Sequence, residues 1–222
     1  HLSLTQVLKM VSEFRTKDQT TPIVLMGYLN PVEVMGYERF AAAAAAAGVD
    51  GVLTVDLPPE EASGLKRALH QHRLDAIFLL APTSPVERIR LIAQAASGFI
   101  YYVSLRGVTG ASHLNLAEVT EKLATIRAHT DLPVGVGFGI GTPEAAAAVA
   151  GVADAVIVGS ALVKRMEDFA HQPDKILTEV PAFLAQLRAA MDRATTPPLS
   201  VTGASRCAGL TNCCPPRSRA RG

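Results

Sequence analysis

Leu132–Lys164, LPVGVGFGIGTPEAAAAVAGVADAVIVGSALVK, decides how the chain is read. Pro133–Phe138 is short, apolar and rich in valine, which suits a strand buried in a parallel sheet. Gly139, Ile140 and Gly141 form a turn, and Thr142-Pro143-Glu144 opens a helix with Thr142 as N-cap and Pro143 in the first position. Ala153–Val158 is the next strand, and Gly159-Ser160 leads at once into another helix. Two successive strand ends thus offer bare backbone N–H groups beside a helix N-terminus. Unpaired amides and the positive end of a helix dipole then converge on one point, an arrangement that binds phosphate. A single turn of this kind reads as a tight βα connection; two in succession favour phosphate. In eight-stranded β/α barrels the phosphate site follows strands seven and eight.

Upstream, the same unit repeats. An amphipathic helix covers about residues 3–17, with Leu4, Val7, Leu8, Val11 and Phe14 on one stripe. Strands follow at Pro22–Gly27, Gly51–Val55, Ala76–Leu80 and Phe99–Val103. Tyr28-Leu29-Asn30-Pro31 closes the first of them. Helices are expected over Gly36–Ala47, with its alanine run, over Glu60–His72, over Pro85–Ala96 capped by Ser84, and over Leu116–His129. Two more, at Ala161–Ala170 and Asp174–Ala194, finish the ordered part. One helix followed by six strand–helix units is parallel βαβ construction. Six units close a doubly wound sheet, or they are the last six of a (β/α)8 TIM barrel with the first two β/α units missing. The orphan opening helix and the late phosphate turns favour the barrel.

The bulk numbers agree with an α/β enzyme-sized domain. The chain has 222 residues, 49% of them hydrophobic and 5% aromatic, with no Trp and a net charge of +1. Nothing in that balance suggests nucleic acid or a membrane surface. No apolar run approaches the roughly 20 residues of a membrane span, and no leader is visible, so a cytoplasmic location is expected. No GxGxxG follows a first strand, which argues against a dinucleotide. Residues 195–222 break the pattern: they hold Cys207, Cys213 and Cys214, are rich in Pro and Arg, and show no periodicity. They are read as a disordered or non-native tail after a partial barrel over residues 1–194, with a basic interaction tail as the alternative.

Chemistry in a barrel sits at the C-terminal ends of the strands. Those ends carry Tyr28, Asn30, Asp56, Thr83, Ser84, Ser104, Arg106, Thr109 and the glycine turns. Asp56 is either a general acid or base or an anchor for the helix behind Pro58-Pro59. Glu60 and Glu61 belong to that helix's first turn, where they suit the dipole. His113 reads as a solvent-exposed loop histidine. Tyr101 and Phe138 either floor an apolar pocket or belong to the core. The composite is a phosphate grip beside an apolar pocket under a glycine-containing loop, without a convincing acid/base pair.

PIVLMGYLNP, GVLTVDLPPEE, FIYYVSLRGVTGA, GVGFGI and AVIVGSALVK, in this order and spacing, resemble the tryptophan synthase alpha chain family over about Thr5–Ala194. The resemblance implies an eight-stranded β/α barrel that cleaves indole-3-glycerol phosphate to indole and glyceraldehyde 3-phosphate by a retro-aldol reaction. It implies no cofactor and no metal of the chain's own. The partner is a pyridoxal-phosphate-bearing beta chain in an alpha2-beta2 heterotetramer. Carried over by motif, the substrate phosphate falls to Gly110, Gly139, Gly159 and Ser160, with Phe138 and Ile140 beside them. Tyr101 and Phe138 line the indole pocket, Leu80 is a weaker candidate, and Thr109 lies in the loop over the substrate. Asp56 becomes a loop or subunit-contact residue. The family's catalytic glutamate and aspartate fall upstream of His1, so this chain as written is expected to be inactive and poorly folded alone. The competing readings are another phosphate-binding barrel enzyme, for which a strand-end lysine is expected, and a non-catalytic barrel remnant that only binds a partner chain.

Overall fold

Residues 2–104, 115–137 and 139–195 are described by the computed structural model. Its elements are α1 (Leu4–Arg15), β1 (Val24–Gly27), α2 (Leu29–Met35), α3 (Tyr37–Ala47), β2 (Gly51–Thr54), α4 (Ser63–Gln71), β3 (Asp75–Leu80) and α5 (Val86–Ala95). They continue with β4 (Ile100–Val103), α6 (Leu116–Arg127), β5 (Val134–Gly137), α7 (Pro143–Ala150), β6 (Ala155–Ile157), α8 (Ser160–Asp168) and α9 (Pro173–Thr195). The strands lie in one sheet in chain order, β1 to β6, and every neighbouring pair is parallel. A doubly wound sheet reverses its order at a switch point. Sequential order without reversal is instead the wall of a barrel, here open along β1 and β6 among the described residues.

Each strand is sorted by alternation into two faces. Val52, Ala76, Phe78, Ile100, Tyr102 and Val136 join the helices in the main core. From the alanine run, Ala41, Ala44 and Ala47 turn inward and are buried, which lets α3 lie close to the sheet. The opposite, concave face carries Leu53 beside Ile77 and Leu79 beside Tyr101 in register. Here large side chains lie over glycines. A Cβ on Gly51 would sit 2.6 Å from Ile77 Cδ1, one on Gly135 2.9 Å from Ile157 Cδ1, and one on Gly137 2.6 Å from Tyr101 Oη. Small against large is how a barrel interior fills without strain.

The N-terminal ends of alternate strands are tied by side chains standing just ahead of the next strand. Asp50 Oδ2 accepts from the Ile23 amide (2.8 Å) and Arg15 Nη2 (2.7 Å). Ser97 Oγ accepts from the Ala76 amide (2.9 Å). Asp154 Oδ2 accepts from the Val134 amide (2.9 Å) and Arg127 Nη2 (3.0 Å). Arg15 also donates from Nε to the Gly48 carbonyl at the C-terminus of α3 (2.9 Å). These contacts sit on the face of the sheet that serves stability.

Four details differ from the sequence reading. The stripe of α1 buries Leu8, Val11 and Arg15, while Phe14 is exposed, because Arg15 has hydrogen-bond partners waiting. Tyr28–Pro31 is not a plain strand end: α2 begins at Leu29 with Pro31 in its first turn, and Gly36, at φ +86°, breaks it from α3. Ser84 does not cap α5; its hydroxyl accepts from the Ala81 amide (3.1 Å) inside the preceding loop. Glu60 and Glu61 precede α4 rather than opening it, and Glu60 pairs with Arg88.

Candidate functional site

At the C-terminal end of the sheet the two glycine turns are neighbours. Thr142 Oγ1 accepts from the Ala145 amide (3.2 Å) and Pro143 takes the first helical position, so α7 starts as its sequence dictates. Gly139 sits at φ +74°, a conformation that a side chain disfavours. A Cβ on Gly141 would lie 3.8 Å from Ala161 Cβ, which places the first turn against the start of α8. Gly159, at φ −118°, needs no left-handed backbone; what it supplies is open space, since a Cβ there meets nothing within 4 Å. The first bonds of α8 run from the Leu162 and Val163 amides to the Gly159 carbonyl (2.9 and 3.1 Å). The amides of Ser160 and Ala161 therefore face forward at the positive end of the helix.

Beside these turns Tyr101 lies across Gly137 on the concave face. Its ring is half-buried, and burial pushes the phenol pKa up, so the hydroxyl stays neutral. Ser104 holds the next residue pair together: its amide (2.9 Å) and its hydroxyl (3.0 Å) both donate to the Gly137 carbonyl. Leu80 does not share this pocket. It is 0% exposed and pairs in register with Tyr102, on the helix-facing side, because strand alternation turns it away from Tyr101. Ile140, between the two glycines of the first turn, is buried in the core.

Asp56 follows β2 and is exposed, and its Oδ1 accepts from the Leu29 amide (2.8 Å). It is an anchor, for the N-terminus of α2 rather than for the helix behind Pro58-Pro59. Arg106, Thr109, Gly110, His113 and Phe138 lie outside the described residues. Gly137 was missed by sequence reasoning, although the alternating glycines of PVGVGF mark the face that must make room for a ring. Also missed was Lys122, whose Nζ donates to the Ser84 carbonyl (2.6 Å) and ties α6 to the loop after β3. Among the described residues no three His, Cys, Asp or Glu side chains gather as a metal site, and no helix is long and apolar enough to cross a membrane.

Residues 1–192 match the family described as tryptophan synthase alpha chain. A tryptophan synthase alpha chain of Thioalkalivibrio sulfidiphilus is 62% identical over 192 residues, covering 86% of this chain and 72% of that one. One from Nitrosococcus oceani is 57% identical over 190 residues, covering 86% and 70%. The crystal structure of tryptophan synthase subunit alpha from Legionella pneumophila superposes with a TM-score of 0.77 at 44% identity, over 85% of this chain and 70% of that one.

Proposed function

The chain belongs to the tryptophan synthase alpha chain family, a lyase family, and from that membership we propose how its residues serve the family's reaction. That reaction is the retro-aldol cleavage of indole-3-glycerol phosphate in tryptophan biosynthesis. The bond between indole C3 and the glycerol phosphate chain breaks. C3 takes a proton, and the neighbouring hydroxyl gives one up as it becomes the aldehyde of glyceraldehyde 3-phosphate.

The observation that carries the site assignment is the adjacency of the two glycine turns, each opening a helix. The phosphate binds the amides around Gly139 and Gly159-Ser160, with Gly110 completing the grip and Thr109 in the loop over it. The indole ring lies on the concave face against Tyr101, and the family resemblance adds Phe138 to its contacts. A neutral tyrosine hydroxyl suits a pocket for an uncharged aromatic ring, since it adds no charge to be desolvated. The proton donor and acceptor are not among the strand ends described here. Asp56 is the carboxylate placed just past a strand, and it is engaged with α2. We assign acid and base to two further β/α units that complete an eight-stranded barrel beyond the six strands seen.

The family works with a beta chain. For this chain we propose an alpha2-beta2 assembly in the cytoplasm, no cofactor or metal on the alpha side, and pyridoxal phosphate held by the beta chain. The site assignment is tested by titrating the chain with glycerol 3-phosphate and following amide shifts by NMR. Ser160→Asp puts a negative charge at the start of α8 and is expected to weaken binding at least about tenfold. Undiminished binding by that variant would remove Gly159-Ser160 from the phosphate site.

A further inference from the structure

α6 and α7 begin under side-chain caps, Asn115 and Thr142, but α5 does not. The hydroxyl nearest its start is engaged elsewhere: Ser84 Oγ accepts from the Ala81 amide (3.1 Å), and the Ser84 amide donates to the Ala81 carbonyl (3.0 Å). Ala81–Ser84 is thus a turn closed on itself at the end of β3. Pro85 follows and has no N–H with which to tie the chain further. The Ser84 carbonyl is caught from outside. Lys122 Nζ donates to it at 2.6 Å from α6, 38 residues along the chain. Lys122 is half-buried, and no ion pair joins it to a carboxylate among the described residues. Fixing so long a side chain costs rotamer entropy, which a hydrogen bond from a charged donor offsets. The turn it holds follows β3 directly, and Leu79, the last residue of β3 on the concave face, pairs in register with Tyr101.

We infer that Lys122 is a positioning residue for the aromatic pocket: by holding the Ala81–Ser84 turn from α6, it fixes the end of β3 and with it Leu79 beside Tyr101. This rests on the pocket reading above. A turn bonded only within itself pivots as a unit about its two ends, and a bond to a different helix removes that freedom. Neighbouring strand ends are held by shorter side chains, Asp56 on the Leu29 amide and Ser104 on the Gly137 carbonyl. At β3 the local hydroxyl is already engaged, so the reach of a lysine is needed. Leu80, on the helix side, is 0% exposed and resists movement, whereas Leu79 is half-buried. Displacement of the turn is therefore taken up on the concave side. What the position requires is a donor of that length: arginine supplies one, while methionine keeps the apolar stem and lacks the donor. The glycine turns stand after β5 and β6, so their hold on phosphate is independent of this contact.

The experiment compares the full 222-residue chain with its Lys122→Met and Lys122→Arg variants, using indole and glycerol 3-phosphate as separate probes. The chain has no Trp, so indole emission is followed without protein tryptophan beneath it. Lys122→Met is expected to weaken indole binding about tenfold and to leave glycerol 3-phosphate binding unchanged; Lys122→Arg restores indole binding. Hydrogen exchange at the Ala81 and Ser84 amides is expected to quicken about tenfold in Lys122→Met and not in Lys122→Arg. A lysine that served stability alone would lower the unfolding midpoint and move both affinities together or neither. Unchanged indole binding by Lys122→Met, equal loss of both ligands, no restoration by Lys122→Arg, or unchanged exchange at Ala81 and Ser84 each overturns the proposal. A wild-type chain that binds glycerol 3-phosphate but no indole, with the exchange difference present, overturns the pocket reading and leaves the clamp on the turn standing.

Discussion

Gly137 is where a single hydrogen atom matters most. A methyl group there would meet Tyr101 at Oη (2.6 Å), Cε2 (2.7 Å) and Cζ (2.9 Å), against a ring that is already half-buried. Gly137→Ala is expected to cost about 1–3 kcal/mol by overpacking, read as a lower unfolding midpoint in urea with an unchanged slope. An unchanged midpoint would mean that the ring swings aside freely and does not floor the pocket. Asp18 shows the opposite logic, a surface residue made specific by hydrogen bonds. The Thr21 hydroxyl, then the Thr21 and Thr20 amides, donate to its carboxylate and hold its pKa far below the usual range. The turn it forms also presents the Asp18 and Thr21 carbonyls to Arg15 Nη1 (3.3 and 2.7 Å). A depressed carboxylate pKa stabilises the fold at pH values above the unfolded pKa, and that stability is lost as pH falls through the folded value. The melting-temperature gap between the wild type and Asp18→Asn is therefore expected at pH 6 and to shrink as pH falls below about 4. A gap that stays constant down to pH 2 would show that the carboxylate charge does not hold the turn.

At the scale of elements, α7 tests how directly sequence sets the site. Thr142 is its cap and directly follows the first glycine turn, so removing the hydroxyl frays the helix end proposed to face the phosphate. Thr142→Ala is expected to cost about 1 kcal/mol and to weaken glycerol 3-phosphate binding. Loss of stability with binding intact would separate the cap from the site. This cap was legible because Thr-Pro-Glu after Gly-Ile-Gly leaves the backbone few alternatives. The strands were legible for a similar reason: apolar runs of about four to six residues between turn signals are too short for a buried helix. Local signals failed where tertiary contacts decided. Arg15 replaces Phe14 in the buried stripe because the Gly48 and Thr21 carbonyls and the Asp50 carboxylate converge on its guanidinium. α2 escaped notice because Pro31 looks like a breaker, yet in the first turn of a helix its missing N–H costs nothing. α9 runs through Pro181 for a tertiary reason: Phe183, Leu187 and Ala190 beyond it are buried in the molecule. The pocket side of Tyr101 and the helix side of Leu80 follow only from register, which no single segment specifies.

The whole molecule is a sheet whose centre and margins differ in kind. β3, β4 and β5 each have a paired strand on both sides and helices packed over Ile100, Val134 and Val136, all 0% exposed. Among the described residues β1 and β6 have one partner strand each, and Met26 on β1 is 60% exposed. Stability in such a sheet is graded, because an amide at the margin opens by breaking one strand pairing while a central amide opens only with the fold. Hydrogen exchange on the chain alone is therefore expected to be slowest in β4 and its two neighbours and fastest in β1 and β6. Equal protection across all six strands would mean that both margins are covered in solution. The glycine turn after β5 hangs on a strand paired on both sides and the turn after β6 on a strand at the margin, so exchange is expected to be slower beside the first turn than beside the second, and equal exchange at both would contradict the gradient.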